Sequence, residues 1–180
     1  IAASLGGPKA LAVVLTALPK GLRAPVVICQ HITPGFSDDL AVWLEAETGQ
    51  RVHEAQHGQR LVRGEFFIAP AGQHMRVTGG GGVLLDDGPP VGGFKPSCDV
   101  LLKSVAMEFG DRAIGVVLTG MGRDGAKGLK ELRGTGAHTI AQDEATSVVF
   151  GMPGEAVAQA DAELVLPLDA VAPQLVRWLS

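Results

Sequence analysis

Two kinds of apolar pattern alternate along the chain. Residues 1–3 (Ile-Ala-Ala), 24–30 (Ala-Pro-Val-Val-Ile-Cys-Gln) and 113–119 (Ala-Ile-Gly-Val-Val-Leu-Thr) are short runs with almost no polar positions. A parallel strand covered on both faces needs such a run, because neither side meets water. Between the runs, apolar positions take helical spacing. Pro8 suits the first turn of a helix reaching residue 18. Ser37 is a candidate N-cap for a helix with Leu40, Ala41 and Leu44 on one face, and Ser97 for a helix ending near residue 108. A helix over 125–133 follows the third apolar run, and segments 137–142, 153–160, 163–166 and 169–179 continue the alternation.

The middle of the chain changes character. Segments 66–69, 75–78 and 83–85 are short strand candidates, separated by Pro70-Ala71-Gly72 and by the run Gly79-Gly80-Gly81-Gly82. Short glycine-rich spacers predict antiparallel hairpins, with the four-glycine run at a tip. The expected fold is α/β: a mostly parallel, doubly wound sheet flanked by helices, with an antiparallel β-hairpin insert. A chain of 180 residues suits one domain, 1–180. Its first residues read as the inside of a strand and not as a targeting signal, so further residues are expected to precede Ile1.

Composition narrows the function classes. Hydrophobic residues make up 46% of the chain and charged ones 19%, which supplies a core and excludes disorder. A net charge of −4 offers no footprint for nucleic acid. No apolar run approaches the roughly 20 residues that membrane insertion requires. Cys29 and Cys98 lie in apolar segments and read as buried free thiols of a reducing compartment, which points to the cytoplasm. His53, His57 and His74 read as surface or turn histidines. No His, Cys and carboxylate set has metal-site spacing, so neither metal nor cofactor is expected.

In open α/β sheets reactive groups gather where strands run into helices. Three such ends carry complementary chemistry. The first run ends at Ser4-Leu5-Gly6-Gly7-Pro8, and Ala2-Ala3-Ser4-Leu5-Gly6 has the small-x-Ser-x-Gly pattern of a nucleophile elbow. Backbone N–H groups near Gly6 and Gly7, at the helix start, are candidate oxyanion or positioning donors. The second run ends at His31, whose ordinary pKa of about 6.5 suits a general base. The third leads into Gly120-Met121-Gly122-Arg123-Asp124-Gly125, where Asp124 could orient that histidine. Taken singly, these are a helix cap, a strand-end histidine and a turn aspartate; together they favour a Ser4-His31-Asp124 triad. Residues 142–146 could line the cleft or be a solvated loop, and Phe94 could contact substrate or pack in the core. Adjacent Asp143 and Glu144 diverge, which disfavours glycosidase chemistry. Two other readings are a non-catalytic anion- or protein-binding module built on the Gly6-Gly7-Pro8 helix start, and a general small-ester hydrolase.

Several ordered blocks are similar to the catalytic domain of the CheB-type protein-glutamate methylesterases of chemotaxis. They are Ile1-Ala2-Ala3-Ser4-Leu5-Gly6-Gly7-Pro8, Gln30-His31, Phe67-Ile68-Ala69-Pro70 with Gly72 and His74-Met75, Pro96-Ser97-Cys98-Asp99-Val100-Leu101, Leu118-Thr119-Gly120-Met121-Gly122-Arg123-Asp124-Gly125, and Gln142-Asp143-Glu144-Ala145-Thr146-Ser147 with Gly151-Met152-Pro153. The resemblance spans nearly the whole chain. It implies Ser4 as nucleophile, His31 as base, Asp124 as orienting acid and the Met121 N–H as oxyanion donor. It further implies hydrolysis of glutamyl methyl esters on methyl-accepting chemotaxis receptors, with deamidation of receptor glutamines, and no cofactor. Leu5 stands where many members have threonine, and Ile32 where methionine is usual. Family members commonly carry an N-terminal receiver domain whose phosphorylation relieves inhibition; the 180 residues contain none.

Overall fold

The computed structural model describes residues 1–159 and 161–180. Seven parallel strands make the main sheet: β1 (Ala2–Ala3), β2 (Val26–Gln30), β3 (Arg51–Glu54), β4 (Glu65–Ile68), β7 (Ile114–Val117), β8 (His138–Gln142) and β9 (Leu164–Leu166). Their order is β3-β4-β2-β1-β7-β8-β9. The antiparallel pair β5 (His74–Val77) and β6 (Val83–Asp86) is the expected insert, and the glycine run lies in its turn. The helices are α1 (Gly7–Ala17), α2 (Ser37–Thr48), α3 (Cys98–Phe109), α4 (Ala126–Gly134), α5 (Met152–Ala158) and α6 (Leu168–Leu179). The helix expected over 153–160 is therefore α5, and Ala160 falls outside the described residues.

The helices divide between the two faces, and each face has its own core. Leu11, Leu15 and Leu44 join Ile28, Ile68 and Leu118 under α1, α2 and α6. Leu101, Leu129 and Leu132 join Cys29, Phe67 and Val117 under α3, α4 and α5. Strand residues alternate between these clusters, which is why the strands read as uninterrupted apolar runs. The chain leaves β1 toward β2 on one side and later enters β7 on the other, so the strand order reverses at β1. Such a switch point opens a crevice at the carboxyl ends of the central strands.

Two local expectations need correction, and one strand has no counterpart in the sequence reading. Segment 66–69 does not belong to a hairpin: β4 pairs in parallel with β2 and β3 inside the main sheet. The spacer after it leads into the insert instead of reversing directly. β3 escapes sequence reading because Arg-Val-His-Glu offers a single apolar side chain, as suits a charged edge strand. Ser37 is the first residue of α2 and not its cap; its hydroxyl donates to Glu54 and accepts from the Ala71 N–H, joining α2 to β3 and to the turn after β4.

Among the described residues, no helix is long and apolar enough to cross a membrane. Cys29 and Cys98 are both buried and free, as expected from their apolar surroundings.

Candidate active site

Backbone pairing brings the three strand ends together before any side chain is considered. Ala3 lies opposite Gln30 in the β1–β2 register, and the His31 N–H donates to the Ala3 carbonyl (3.1 Å). Ser4 and His31 therefore follow matched positions on neighbouring strands. On the other side the Ser4 N–H donates to the Thr119 carbonyl (3.0 Å), which fixes the start of the Asp124 loop against β1. Gly120 shows how close that approach is. A Cβ there would stand 2.8 Å from the Ser4 Cβ and 2.3 Å from the Met152 sulfur, so only glycine fits.

Ser4 does not cap α1. That position belongs to Gly6, in the left-handed region at φ 81°, with no side-chain capping bond. The Gly7 N–H donates to the Ser4 carbonyl (2.8 Å) and is engaged within the turn. That bond occupies one of the N–H groups expected as oxyanion or positioning donors.

Asp124 is the most constrained side chain of the site. Its Oδ1 accepts from the Ser97 hydroxyl (2.8 Å) and the Asp99 N–H (3.0 Å). Its Oδ2 accepts from the Cys98 N–H (2.7 Å) and meets His31 Nε2 at 2.7 Å. Cys98 and Asp99 begin α3, where backbone N–H groups lack intrahelical partners and the helix dipole favours negative charge. Asp124 thereby caps α3 from outside. Asp99 returns the arrangement, accepting from the N–H groups of Gly125 (3.0 Å) and Gly128 (2.8 Å) at the start of α4. Ser97 holds the N-cap position of α3, as expected, but its hydroxyl serves Asp124 and not its own helix.

Opposing effects set the charges here. Burial alone would raise the Asp124 carboxyl, yet the bonds from His31, Asp99, Ser97 and Cys98 outweigh it and hold the group below its ordinary range. Burial alone would lower His31, but hydrogen bonding to Asp124 and Cys98 prevails and raises it to about 9. Asp99 moves the other way, its burial prevailing over its two backbone bonds. The ring of Phe94 stacks on His31 with centroids 3.9 Å apart and planes 3° from parallel, so Phe94 touches the catalytic candidate and is not simply core. With Nε2 turned to Asp124, the buried Nδ1 has no hydrogen-bond partner among the described residues.

The structure corrects two further expectations. His74 is neither a surface nor a turn residue: it is 1% exposed on β5, where it accepts from the Ser97 N–H (3.2 Å) and contacts the Pro89 carbonyl (3.0 Å). It braces the α3 start that in turn holds Asp124. The other correction concerns metal ligands. His31, Cys98 and Asp124 each place one donor atom within 4.8 Å of the others, a clustering invisible in sequence spacing. The two stronger donors already face one another at 2.7 Å, and burial pushes the Cys98 thiol upward, away from the thiolate a metal needs. The set therefore fits a proton-handling pair better than a metal centre.

A cavity of about 300 Å³ adjoins Asp124 and Phe94 and is lined also by Lys103, Arg123, Lys127, Asp99 and Glu155. A second, apolar cavity of about 170 Å³ lies among Ile1, Val26, Val27 and Ile114, at the opposite ends of the strands and away from this chemistry. Leu5 (52% exposed), Met121 (63%) and Val148 (68%) lie on the segments that meet at the Ser4 turn, and we call these three the apolar rim. Leu5 follows Ser4, Met121 follows the close-packed Gly120, and a Cβ on Gly6 would stand 2.7 Å from Val148. Sequence reasoning missed the Ser97-Cys98-Asp99 cradle, whose only side-chain signal, a Ser and an Asp at a helix start, reads as ordinary capping. Gln142, suggested as a cleft residue, is instead fully buried, accepting from the Thr119 N–H (2.8 Å).

Comparison with known proteins identifies the family and the fold. The family model described as CheB methylesterase matches residues 1–175. The protein-glutamate methylesterase FrzG of Myxococcus xanthus is 55% identical over 179 residues, covering 99% of this chain and 54% of the relative. A protein-glutamate methylesterase/protein-glutamine glutaminase of Anaeromyxobacter dehalogenans is 49% identical, covering 100% of this chain and 52% of the relative. The chain thus spans about half the length of the curated relatives it matches. The crystal structure of the Thermotoga maritima CheB methylesterase catalytic domain superposes with a TM-score of 0.95 at 35% identity, covering 98% of this chain and 95% of that one. With sequence and fold in accord, the chain belongs to the CheB methylesterase family.

Proposed function

We propose that the chain is the catalytic domain of a protein-glutamate methylesterase that uses Ser4, His31 and Asp124 as nucleophile, base and orienting acid. The observation that carries this reading is the 2.7 Å His31–Asp124 pair, set beside the Ser4 turn at the switch point of the sheet. Nε2 is occupied by Asp124, so Nδ1 is the ring nitrogen left to accept the Ser4 proton. The Ser4 oxygen then bonds to the glutamyl carbonyl carbon, and the N–H groups of Met121 and Gly6 receive the developing oxyanion. Collapse breaks the bond to methoxide, which takes the proton from His31 and leaves as methanol. Water attacks the acyl-serine, gives its proton to His31, and releases the glutamate carboxylate while Ser4 recovers its proton. A glutamine side chain would follow the same course with ammonia as leaving group.

The substrates in this reading are glutamyl esters and glutamines of methyl-accepting chemotaxis receptors, and the setting is the cytoplasm, in keeping with two free buried thiols. A receiver domain is the expected partner in a full-length protein. The test is methanol release from methylated receptor. Ser4→Ala should retain the melting temperature and lose activity by roughly 10⁴-fold or more, the scale of nucleophile loss in serine hydrolases. Equal release from both proteins would remove Ser4 from the chemistry. Cleavage of simple esters without receptor turnover would replace the receptor by small-ester substrates.

A further inference from the structure

We propose that Gln30 is a positioning residue that holds Ser4 and His31 in register through their backbones; this rests on the triad reading above. Gln30 ends β2, is 2% exposed, and belongs to neither the nucleophile, the base nor the acid. Its Nε2 donates to the Ser4 carbonyl (2.8 Å) and to the His31 carbonyl (2.9 Å). One planar amide thus spans the two strand ends whose side chains must exchange a proton. The Ser4 carbonyl also accepts from the Gly7 N–H, so the turn carrying the nucleophile is bonded both to its own helix and to the neighbouring strand.

The chemistry of the amide fixes its orientation. Two carbonyl oxygens require two N–H donors, and a turned amide would set oxygen against oxygen. The cost of this orientation is visible at the other end of the group. Oε1 is buried and has no hydrogen-bond partner among the described residues. A buried acceptor left unpaired calls for a compensating role, and the two bonds made by Nε2 supply one. Gly7 completes the fit. A Cβ at that position would stand 1.9 Å from Oε1, so the helix start leaves room for the amide only because it is glycine.

Packing alone would tolerate any side chain of similar volume at position 30; a clamp requires the N–H donors. Gln30→Met keeps the volume and removes the donors. Gly7→Ala keeps every atom of Gln30 and displaces the amide, though its Cβ would also meet the Ala3 Cβ at 2.9 Å, so Gln30→Met carries the decision. With a glutamyl methyl ester peptide, both should lower kcat by roughly 100-fold, the scale of a 1 Å misplacement, while KM stays within about twofold because the amide touches no substrate. Labelling of Ser4 by a fluorophosphonate probe should slow by the same factor. A Gln30→Met protein with wild-type kcat and labelling rate would overturn the proposal. If neither variant folds, the Gln30 side-chain amide of the unaltered chain decides: protons protected from solvent exchange support the clamp, and exchange at the free-amide rate overturns it. Failure of the unaltered chain to take the label at all would strike the triad reading itself, and is distinct from a label that Gln30→Met takes at full rate.

Discussion

Asp124 and Ser4 are reached from adjacent strands, yet their surroundings differ in kind. The carboxylate of Asp124 is buried and held by four donors, two of them backbone N–H groups of a helix start and one a hydroxyl from the same helix. Ser4 sits on a glycine-rich turn bordered by the exposed side chains of Leu5, Met121 and Val148. The Asp124 carboxylate is over-determined, and Ser4, the proposed nucleophile, is fixed at its backbone but bordered by exposed side chains. That division fits the proposed function, in which the substrate is a side chain on another macromolecule. The proton-handling groups need a rigid, dry setting, while the reacting hydroxyl must face a large incoming surface.

The rigid side should break hardest. Asp124→Asn keeps the shape but replaces one acceptor oxygen by a donor, which then faces the Cys98 N–H or the Ser97 hydroxyl. Esterase kcat should fall by roughly 10⁴-fold, as expected when the acid partner of a catalytic histidine becomes an amide. Asp124→Ala additionally orphans the Ser97 hydroxyl and two N–H groups at the start of α3. A loss of about 3–5 kcal/mol follows from breaking such a buried set, and thermal unfolding should register it as a drop of roughly 10 °C. If Asp124→Ala melted with the parent chain, the cradle would be ornamental to the fold.

The pH dependence sharpens the same comparison. His31 must be neutral to accept a proton, and its pKa is raised from 6.5 to about 9. The alkaline-rising limb of kcat/KM should therefore lie near pH 9, and Asp124→Asn should move it back toward 6.5 in whatever activity survives. Stability follows by linkage. A group with a raised folded pKa contributes stability that is fully present below its unfolded value, so the His31 contribution holds below about 6.5 and is lost as pH rises through about 9. Asp124 has the opposite sign: its contribution is present above 3.8 and is lost as pH falls through its lowered folded value. These describe one shared bond from its two ends, and histidine NMR titration beside denaturation at several pH values would test both. A His31 titration at 6.5 would mean that Asp124 orients the ring without holding its proton.

Much of this arrangement was legible in the residues, and the limits of legibility were physical. The apolar runs at 24–30 and 113–119 announced parallel strands because burial on both faces removes polar positions. The Ser4, His31 and Asp124 strand ends stood out because their side chains are of types suited to nucleophilic and acid–base chemistry. The cradle of Asp124 did not, since its donors include main-chain N–H groups that every residue type supplies. Gln30 was visible only as the neighbour of His31, because its role depends on reaching sideways to a second strand. The edge strand β3 was hidden by its own charge, and β4 looked like a hairpin strand because sequence order places it beside the insert. Tertiary proximity also defeated spacing for Cys98, which approaches His31 Nε2 to 3.6 Å across 67 positions.

A smaller effect is expected at the junction of the two regions, where Phe94 covers the His31 ring. Phe94→Ala removes a stacked pair worth about 0.5–1.5 kcal/mol beyond its buried area. Turnover should fall by roughly 10-fold, and the His31 titration should shift as water reaches the ring. An unchanged titration would limit Phe94 to substrate contact.

The open side should show the smallest changes, and of a different type. Leu5→Thr, Met121→Ala and Val148→Ala alter exposed side chains, so stability should stay within about 0.5 kcal/mol of the parent chain. If the rim receives the receptor surface, each truncation removes apolar area worth about 1 kcal/mol on association. That should raise KM for methylated receptor roughly fivefold while leaving kcat unchanged. A soluble small ester buries little of the rim, so its kcat/KM should change far less. Loss of activity toward both substrates in equal measure would place these residues with the catalytic turn instead. The split between large and small substrates is therefore the measurement that separates a docking rim from a structural collar around Ser4.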